Sequence, residues 1–200
     1  MIRSKKARAQ TSGGRESARV RAREKPAQKP DSAGWAEFLA RAWMMEVEAA
    51  ERYATFADAM DEHNNREVAE LFRKLARIEQ LHADQLLEEQ ERLSGRPPAV
   101  PPGGFQWDGA EGPETAAHGD LHYRMQPYHA LQIALDCEKR AVRFFAGFAS
   151  DATDAKVRKA AREMAEEEEE HVRLIEDWLK RTPLPDKDWE HDPDPPVVSD

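Results

Sequence analysis

Apolar residues recur every three or four positions over two blocks of the chain, residues 35–93 and 128–181. That spacing follows one face of an α-helix, and both blocks are rich in the strong helix formers Ala, Leu, Glu, Arg and Lys. Each block divides at a short polar turn, at residues 61–65 in the first and 150–154 in the second. The pattern therefore predicts four helices, near residues 35–61, 65–93, 128–149 and 154–181.

Turn chemistry refines this prediction. Asn64 or Asn65 is suited to cap the second helix, and Asp151 or Thr153 the fourth. Short turns favour antiparallel neighbours, whereas the 33-residue connection 94–126 is long enough to cross between two helical hairpins. We expect an all-α fold, a four-helix bundle of two antiparallel helical hairpins joined by a long crossover.

Charge and Gly/Pro content divide the chain into three parts. Residues 1–33 form a basic arm, with ten Lys and Arg before residue 31 against Glu16 and Glu24, and we expect it to be disordered. Residues 34–181 form the bundle, with the crossover at 94–127, and residues 182–200 form an acidic, flexible tail. The net charge of −9 disfavours nucleic acid as a partner, although the arm alone could still dock onto a partner or phosphates.

Cysteine usage and hydropathy restrict the classes of protein further. Cys137 is the only cysteine, which excludes an internal disulfide and a Cys-x-x-Cys site and fits a reducing cytoplasm. No apolar run approaches the roughly 20 residues that span a bilayer, and the N-terminus lacks the apolar segment of a secretory signal. We expect a cytoplasmic protein without membrane association.

One glutamate interrupts the inward apolar stripe of each predicted helix at mid-length. In the second helix, for example, the stripe runs through Val68, Leu71, Leu75, Leu86 and Leu93. Two of the helices add a histidine three residues after the glutamate, on the same face. The interrupting residues are Glu46, Glu79, His82, Glu138, Glu168 and His171.

Carboxylates in the core of a bundle need compensation. Burial of an unpaired carboxylate costs several kcal/mol, and four at one level also repel one another. Two divalent cations would offset the four charges, and two neutral imidazoles would complete their ligand shells. Carboxylates combined with imidazole favour iron or manganese, leave zinc as an alternative, and argue against calcium.

An internal repeat links the two halves of this candidate site. EVEAAERYATFA (46–57) aligns with EKRAVRFFAGFA (138–149), and ARIEQLHADQL (76–86) aligns with AEEEEEHVRLI (165–175). The alignment superimposes the two Glu-x-x-His pairs, and Tyr53 on Phe145. A repeat that preserves all six polar core positions indicates one shared site.

These residues resemble those of rubrerythrin and its relatives in the ferritin-like superfamily, over about 120 of the 200 residues. The resemblance implies a ferritin-like bundle with two iron ions, with Mn/Fe or manganese alone as alternatives. It makes the six residues the metal ligands and Glu79 and Glu168 the bridging carboxylates. It makes Tyr53 a catalytic residue that hydrogen-bonds or quenches radicals, with core packing alone as the alternative for this side chain. It further implies a homodimer that reacts with peroxide or dioxygen and takes electrons from an unidentified donor.

Three positions depart from the rubrerythrin pattern. The single cysteine rules out the rubredoxin-like iron site within this chain, Ala141 replaces an additional glutamate of the third helix, and Phe145 carries no hydroxyl. The leading functional hypothesis is a di-iron protein that oxidises Fe(II), for peroxide scavenging or iron handling. The alternative is a metal-stabilised storage or interaction module without redox turnover.

The remaining polar residues have simpler interpretations. Glu166, Glu167, Glu169 and Glu170 fall off the inward stripe and should be solvated, so Glu168→Ala should abolish full metal loading while Glu167→Ala should not. Cys137 should be a packing residue. Segment 105–125 either packs along the bundle or forms a subunit contact. Three histidines should lie at the surface or cap a helix: His118, His122 and His129.

Overall fold

The computed structural model describes residues 32–107, 109 and 111–193. Within this part of the chain there are four α-helices and no strands, which confirms the all-α prediction. Helices α1 and α2 pack as one hairpin and α3 and α4 as the other. The helices, each within three residues of its predicted bounds, are α1 (Ser32–Glu62), α2 (Arg66–Ser94), α3 (Pro127–Asp151) and α4 (Ala155–Arg181).

The helix ends follow local chemistry. Asn65 is the N-cap residue of α2, as predicted, but its side-chain amide donates to Met125 O at 2.7 Å and so ties the turn to the crossover. The cap of α4 is Asp154, whose carboxylate accepts from the Lys156 N–H at 2.8 Å. The prediction of Asp151 or Thr153 was wrong because α3 continues through Asp151.

Two apolar clusters fill the bundle, one on each side of its middle. The first surrounds Phe56, Phe72 and Ile175. The second surrounds Phe38 and Phe145, whose ring centroids lie 6.3 Å apart at an interplanar angle of 71°. The four glutamates of the candidate site lie between these clusters in sequence, so a polar layer separates two apolar ones.

The inward faces agree with the predicted stripes except near one end. Every predicted inward residue of α1 is buried: Leu39, Ala42, Glu46, Ala49, Tyr53, Phe56 and Met60. In α2, Leu93 was predicted inward but is 41% exposed, and Gln90 is buried instead. Leu93 lies in the last turn of α2, where the stripe no longer faces the other helices. Phe72 of α2 is fully buried although the predicted stripe passed through Leu71.

The crossover, residues 95–126, packs along the bundle, which is one of the two arrangements expected for segment 105–125. The Trp107 indole donates to Glu48 Oε2 at 2.9 Å, and Gly112 is buried against Glu48. Residues Glu114, Thr115 and Ala116 are buried as well. The crossover therefore contributes side chains to the interior of the bundle.

The chain after α4 also contacts the bundle. The Trp189 ring lies 3.9 Å from that of His129, and Arg124 Nε donates to Trp189 O at 3.1 Å. Residues 1–31 of the predicted arm and 194–200 of the predicted tail lie outside the described residues. Among the helices described, none is long and apolar enough to cross a membrane.

Candidate metal centre

The six predicted ligand residues meet in the polar layer. Glu46 and Glu138 come from α1 and α3, and the two Glu-x-x-His pairs come from α2 and α4. All four glutamates are at most 3% exposed, whereas the histidine side chains retain about a quarter of their surface, 23% for His82 and 24% for His171. The helical period alone places these side chains inward, and the two hairpins bring the pairs together.

The residues form two groups with the same geometry. His82 Nδ1 lies 3.2 Å from Glu79 Oε2 and 3.6 Å from Glu46 Oε2. In the other hairpin, His171 Nδ1 lies 2.9 Å from Glu168 Oε2 and 3.6 Å from Glu138 Oε2. Within each group one ligand atom per residue lies within 4.8 Å of the others, a spacing that can hold a metal ion.

The two groups face each other across the bundle. The His82 and His171 rings stack with centroids 4.7 Å apart and planes 3° apart. Glu79 and Glu138, one from each group, also have carboxylate oxygens within 4.8 Å of each other. The two groups are therefore adjacent, and each could hold one cation.

Several buried oxygens of this layer accept no hydrogen bond from the described residues: Glu46 Oε2, Glu79 Oε1 and Oε2, and Glu138 Oε2. Buried carboxylate oxygens are nearly always hydrogen-bonded or bound to a cation, because losing water without replacement costs several kcal/mol. These oxygens and the two imidazoles together offer a mixed set of oxygen and nitrogen donors that could bind divalent metal ions. The residues present therefore fit a pair of metal ions.

Protons compensate the buried charge of the metal-free site. Burial raises the pKa of Glu46 and of Glu138 to about 8. For the histidines, burial acts to lower the pKa, but the facing carboxylates prevail and raise it to about 10 for His82 and about 11 for His171. Four groups therefore hold protons near neutral pH that metal ligation would displace.

A cavity of about 280 Å³ connects this layer to the surface between α2 and α4. Its inner wall includes both histidines, Glu46 and Glu168, and its outer wall includes Glu167 and Glu170. Because these outer glutamates are exposed, the opening is negatively charged and suited to the entry of cations.

Comparisons with known proteins agree with this geometry. A family model described as Rubrerythrin matches residues 37–100, which include Glu46, Glu79 and His82. A solved structure of an uncharacterised conserved protein from Magnetospirillum magnetotacticum MS-1 is 38% identical, covers 76% of this chain and 97% of that one, and has a TM-score of 0.56. The chain is a rubrerythrin-like member of the ferritin-like superfamily. No curated protein matches it.

One carboxylate of this rubrerythrin-like chain was missed by sequence reasoning. Glu114 of the crossover is 1% exposed, and one of its oxygens lies within 4.8 Å of ligand atoms of Glu79 and Glu138. Both of its oxygens lack a hydrogen-bond partner among the described residues. Because Glu114 lies in an irregular segment without helical periodicity, no pattern in the sequence singled it out.

Tyr53 is buried next to the polar layer. Its ring stacks on Phe72 with centroids 5.9 Å apart. Its hydroxyl has no nitrogen or oxygen partner in the described part of the chain, but the Cys137 thiol is a weak hydrogen-bonding neighbour. Burial, followed by the negative potential of Cys137, Glu138 and other nearby acids, raises the pKa of this hydroxyl well above its usual range. The hydroxyl therefore keeps its proton.

The polar residues that were expected to lie outside the candidate site have the surroundings predicted for them. The four neighbours of Glu168 in its run of five glutamates are exposed, while Glu168 itself is 2% exposed. Cys137 is a buried, free packing residue, and burial raises its pKa to about 11. His129 Nδ1 accepts from the Gln126 N–H at 3.0 Å and caps α3. Ala141 and Phe145 are fully buried in the second apolar cluster.

Proposed function

We propose that this rubrerythrin-like chain is a non-haem di-iron protein that oxidises Fe(II) with peroxide or dioxygen. The observation that carries the proposal is the pair of equivalent Glu–Glu–His groups, which meet in one buried layer with carboxylate oxygens free to bind cations. Apolar packing does not account for four carboxylates at this level, and ion pairing accounts for them only in part. Their ion-pair partners among the described residues are the two imidazoles of His82 and His171, with no Lys or Arg among them.

In the proposed site, Glu46, Glu79 and His82 hold one iron, and the equivalent residues Glu138, Glu168 and His171 hold the other. Glu79 and Glu168, one from each Glu-x-x-His pair, are proposed as the bridging carboxylates. The mixed carboxylate and imidazole donors favour a pair of iron ions, with a manganese-containing pair as the alternative.

When bound, the iron pair supplies two electrons to the O–O bond of peroxide or dioxygen. The chain provides the surroundings for this reaction. Apolar layers on both sides exclude water, and the acidic opening admits cations and small oxidants beside the two histidines. We propose that Tyr53, whose hydroxyl keeps its proton beside the acids of the site, donates hydrogen to the reacting centre.

Turnover also requires electrons from outside. The single cysteine of this sequence cannot form a rubredoxin-type iron site, so we propose that a donor outside this sequence reduces the iron pair after each reaction. The resemblance and the single cysteine favour a homodimer in a reducing cytoplasm. Both are part of the proposal.

Anaerobic loading followed by oxidation tests the proposed function. The metal-free protein is given two equivalents of Fe(II) and mixed rapidly with either peroxide or dioxygen, and the rise of ferric absorption is recorded. We expect fast oxidation by at least one of the two. Slow reaction with both would refute the redox assignment even if two ions bind.

Two matched variants test the site itself. Glu168→Ala removes an inward carboxylate and should prevent binding of two ions. Glu166→Ala removes a carboxylate from the same run on the exposed face and should leave loading unchanged. Glu166 is the better control than Glu167, because Glu167 lines the opening of the cavity. Equal behaviour of the two variants would contradict the assignment.

A further inference from the structure

The crossover inserts one carboxylate into the metal centre. We propose that Glu114 is a seventh protein ligand, bound to the ion pair on the side away from the cavity. This inference rests on the proposed metal centre and adds a ligand that the four helices do not supply. Neither Glu114 nor its neighbours Glu79 and Glu138 line the cavity, whereas both histidines do.

The burial of Glu114 needs a binding partner. Its side chain is 1% exposed and fully enclosed, and both carboxylate oxygens lack a hydrogen bond within the described residues. A carboxylate in such a position costs several kcal/mol unless a cation or donor reaches it. Glu79 and Glu138, whose oxygens lie within 4.8 Å of those of Glu114, are acids and supply no positive charge. A cation shared by the three carboxylates would compensate their negative charge.

Two arginines hold the main chain on either side of Glu114. Arg140 donates from Nε to Pro113 O at 2.7 Å and from Nη2 to Thr115 O at 3.2 Å. Arg52 donates to Ala116 O and, at 3.0 Å, to the Glu111 carboxylate. These contacts go to the backbone and to Glu111, so Glu114 remains unpaired although two guanidinium groups lie nearby. The segment is fixed with Glu114 aimed inward and without a protein counter-ion.

A fifth carboxylate changes the charge balance of the centre. The four glutamates of the helices already match two divalent ions in charge. Glu114 adds one further negative charge, which favours ions of higher charge. We therefore expect the trivalent state of the iron pair to be more stable, and the reduction potential lower, than in a Glu114→Gln variant.

Binding of Co(II) tests the assignment through its visible spectrum. Wild-type protein, Glu114→Gln and the control Glu166→Gln are titrated with Co(II) alone. We expect all three proteins to bind two ions. In Glu114→Gln, the more weakly bound ion should have an affinity at least about tenfold lower than in the wild type. Loss of a ligand lowers the coordination number, so the visible bands of that variant should also become stronger. Glu166→Gln changes an exposed carboxylate outside the crossover and should match the wild type.

The outcomes separate this inference from the proposed function. If wild-type protein does not bind two ions, the proposed metal centre itself fails. If wild type and Glu114→Gln bind two ions with equal affinity and equal spectra, the metal centre stands and Glu114 is not a ligand. Hydrogen exchange of wild type gives a second measurement that needs no variant. Metal loading should slow amide exchange in residues 111–117, and unchanged exchange there would overturn the proposal.

Discussion

Loading the metal-free protein with two divalent ions at pH 6.5 should release about four protons. The groups that carry them are the carboxyls of Glu46 and Glu138, with pKa values of about 8, and the imidazoles of His82 and His171, with pKa values of about 10 and 11. All four bind metal in their deprotonated form. Four positive charges enter as these four protons leave. A fifth proton adds to this number if Glu114 also binds metal, because burial raises the pKa of its carboxyl well above its usual range in the metal-free protein.

The same pKa values predict how metal affinity depends on pH. Because each ion displaces about two protons, its apparent affinity should rise about 100-fold per pH unit between pH 6.5 and 7.5, or about 2.7 kcal/mol. Above pH 8 the two glutamates have lost their protons in the metal-free protein, and only the histidines still compete. The dependence should then fall to about tenfold per pH unit.

The assay is a Co(II) titration of metal-free protein in weakly buffered solution, with the base needed to hold the pH constant recorded after each addition. Glu166→Gln, which changes an exposed carboxylate, should release the same number of protons as wild type. Release of one proton or fewer on binding two ions, or affinity that is flat between pH 6.5 and 7.5, would refute the reasoning.

Three further predictions concern stability and reactivity. Because the folded-state pKa values of Glu46 and Glu138 are raised, the stabilisation that these groups contribute is complete below about pH 4.5 and is lost as the pH rises through 8. The midpoint of thermal unfolding of the metal-free protein should therefore fall over this pH range. The midpoint of the metal-loaded protein should fall much less. Gly112→Ala would place a Cβ 2.5 Å from Glu48 Oε2, so it should lower the free energy of unfolding in chemical denaturation by about 1–3 kcal/mol. Gly147→Ala, on an open face of α3, should raise it by about 0.5–1 kcal/mol. Tyr53→Phe removes a buried hydroxyl whose hydrogen-bonding neighbour among the described residues is the weak Cys137 thiol, so it should change stability by no more than about 1 kcal/mol and leave metal loading intact. The same variant should slow oxidation if the hydroxyl donates hydrogen.

The sequence by itself determined the helices and the register of the residues within them. A helix has a fixed period, so once the apolar stripe is recognised, the direction of every other side chain on that helix follows. This is why Glu168 could be separated from four adjacent glutamates, and why Glu46, Glu79 and Glu138 were placed inward correctly. The internal repeat added that the two Glu-x-x-His pairs belong to one site.

The limits of that reasoning appear where the period ends or the packing partner changes. Leu93 continues the stripe of α2 but lies in its last turn and is 41% exposed. Phe72 lies beside the predicted stripe and is buried because the face of α2 packs against both α1 and α3. The cap of α4 was misplaced by a few residues because several polar residues in that turn are suitable caps.

Only the tertiary structure decided the role of the crossover. Glu114 follows no helical period, and its position depends on hydrogen bonds from Arg52 and Arg140 to a segment distant in sequence. Its approach to Glu79 and Glu138 depends in turn on how the crossover packs against both hairpins. Local periodicity determines which side of a helix a residue occupies, but long-range packing determines which loop residue reaches the interior. The two therefore specified different carboxylates of the same buried layer.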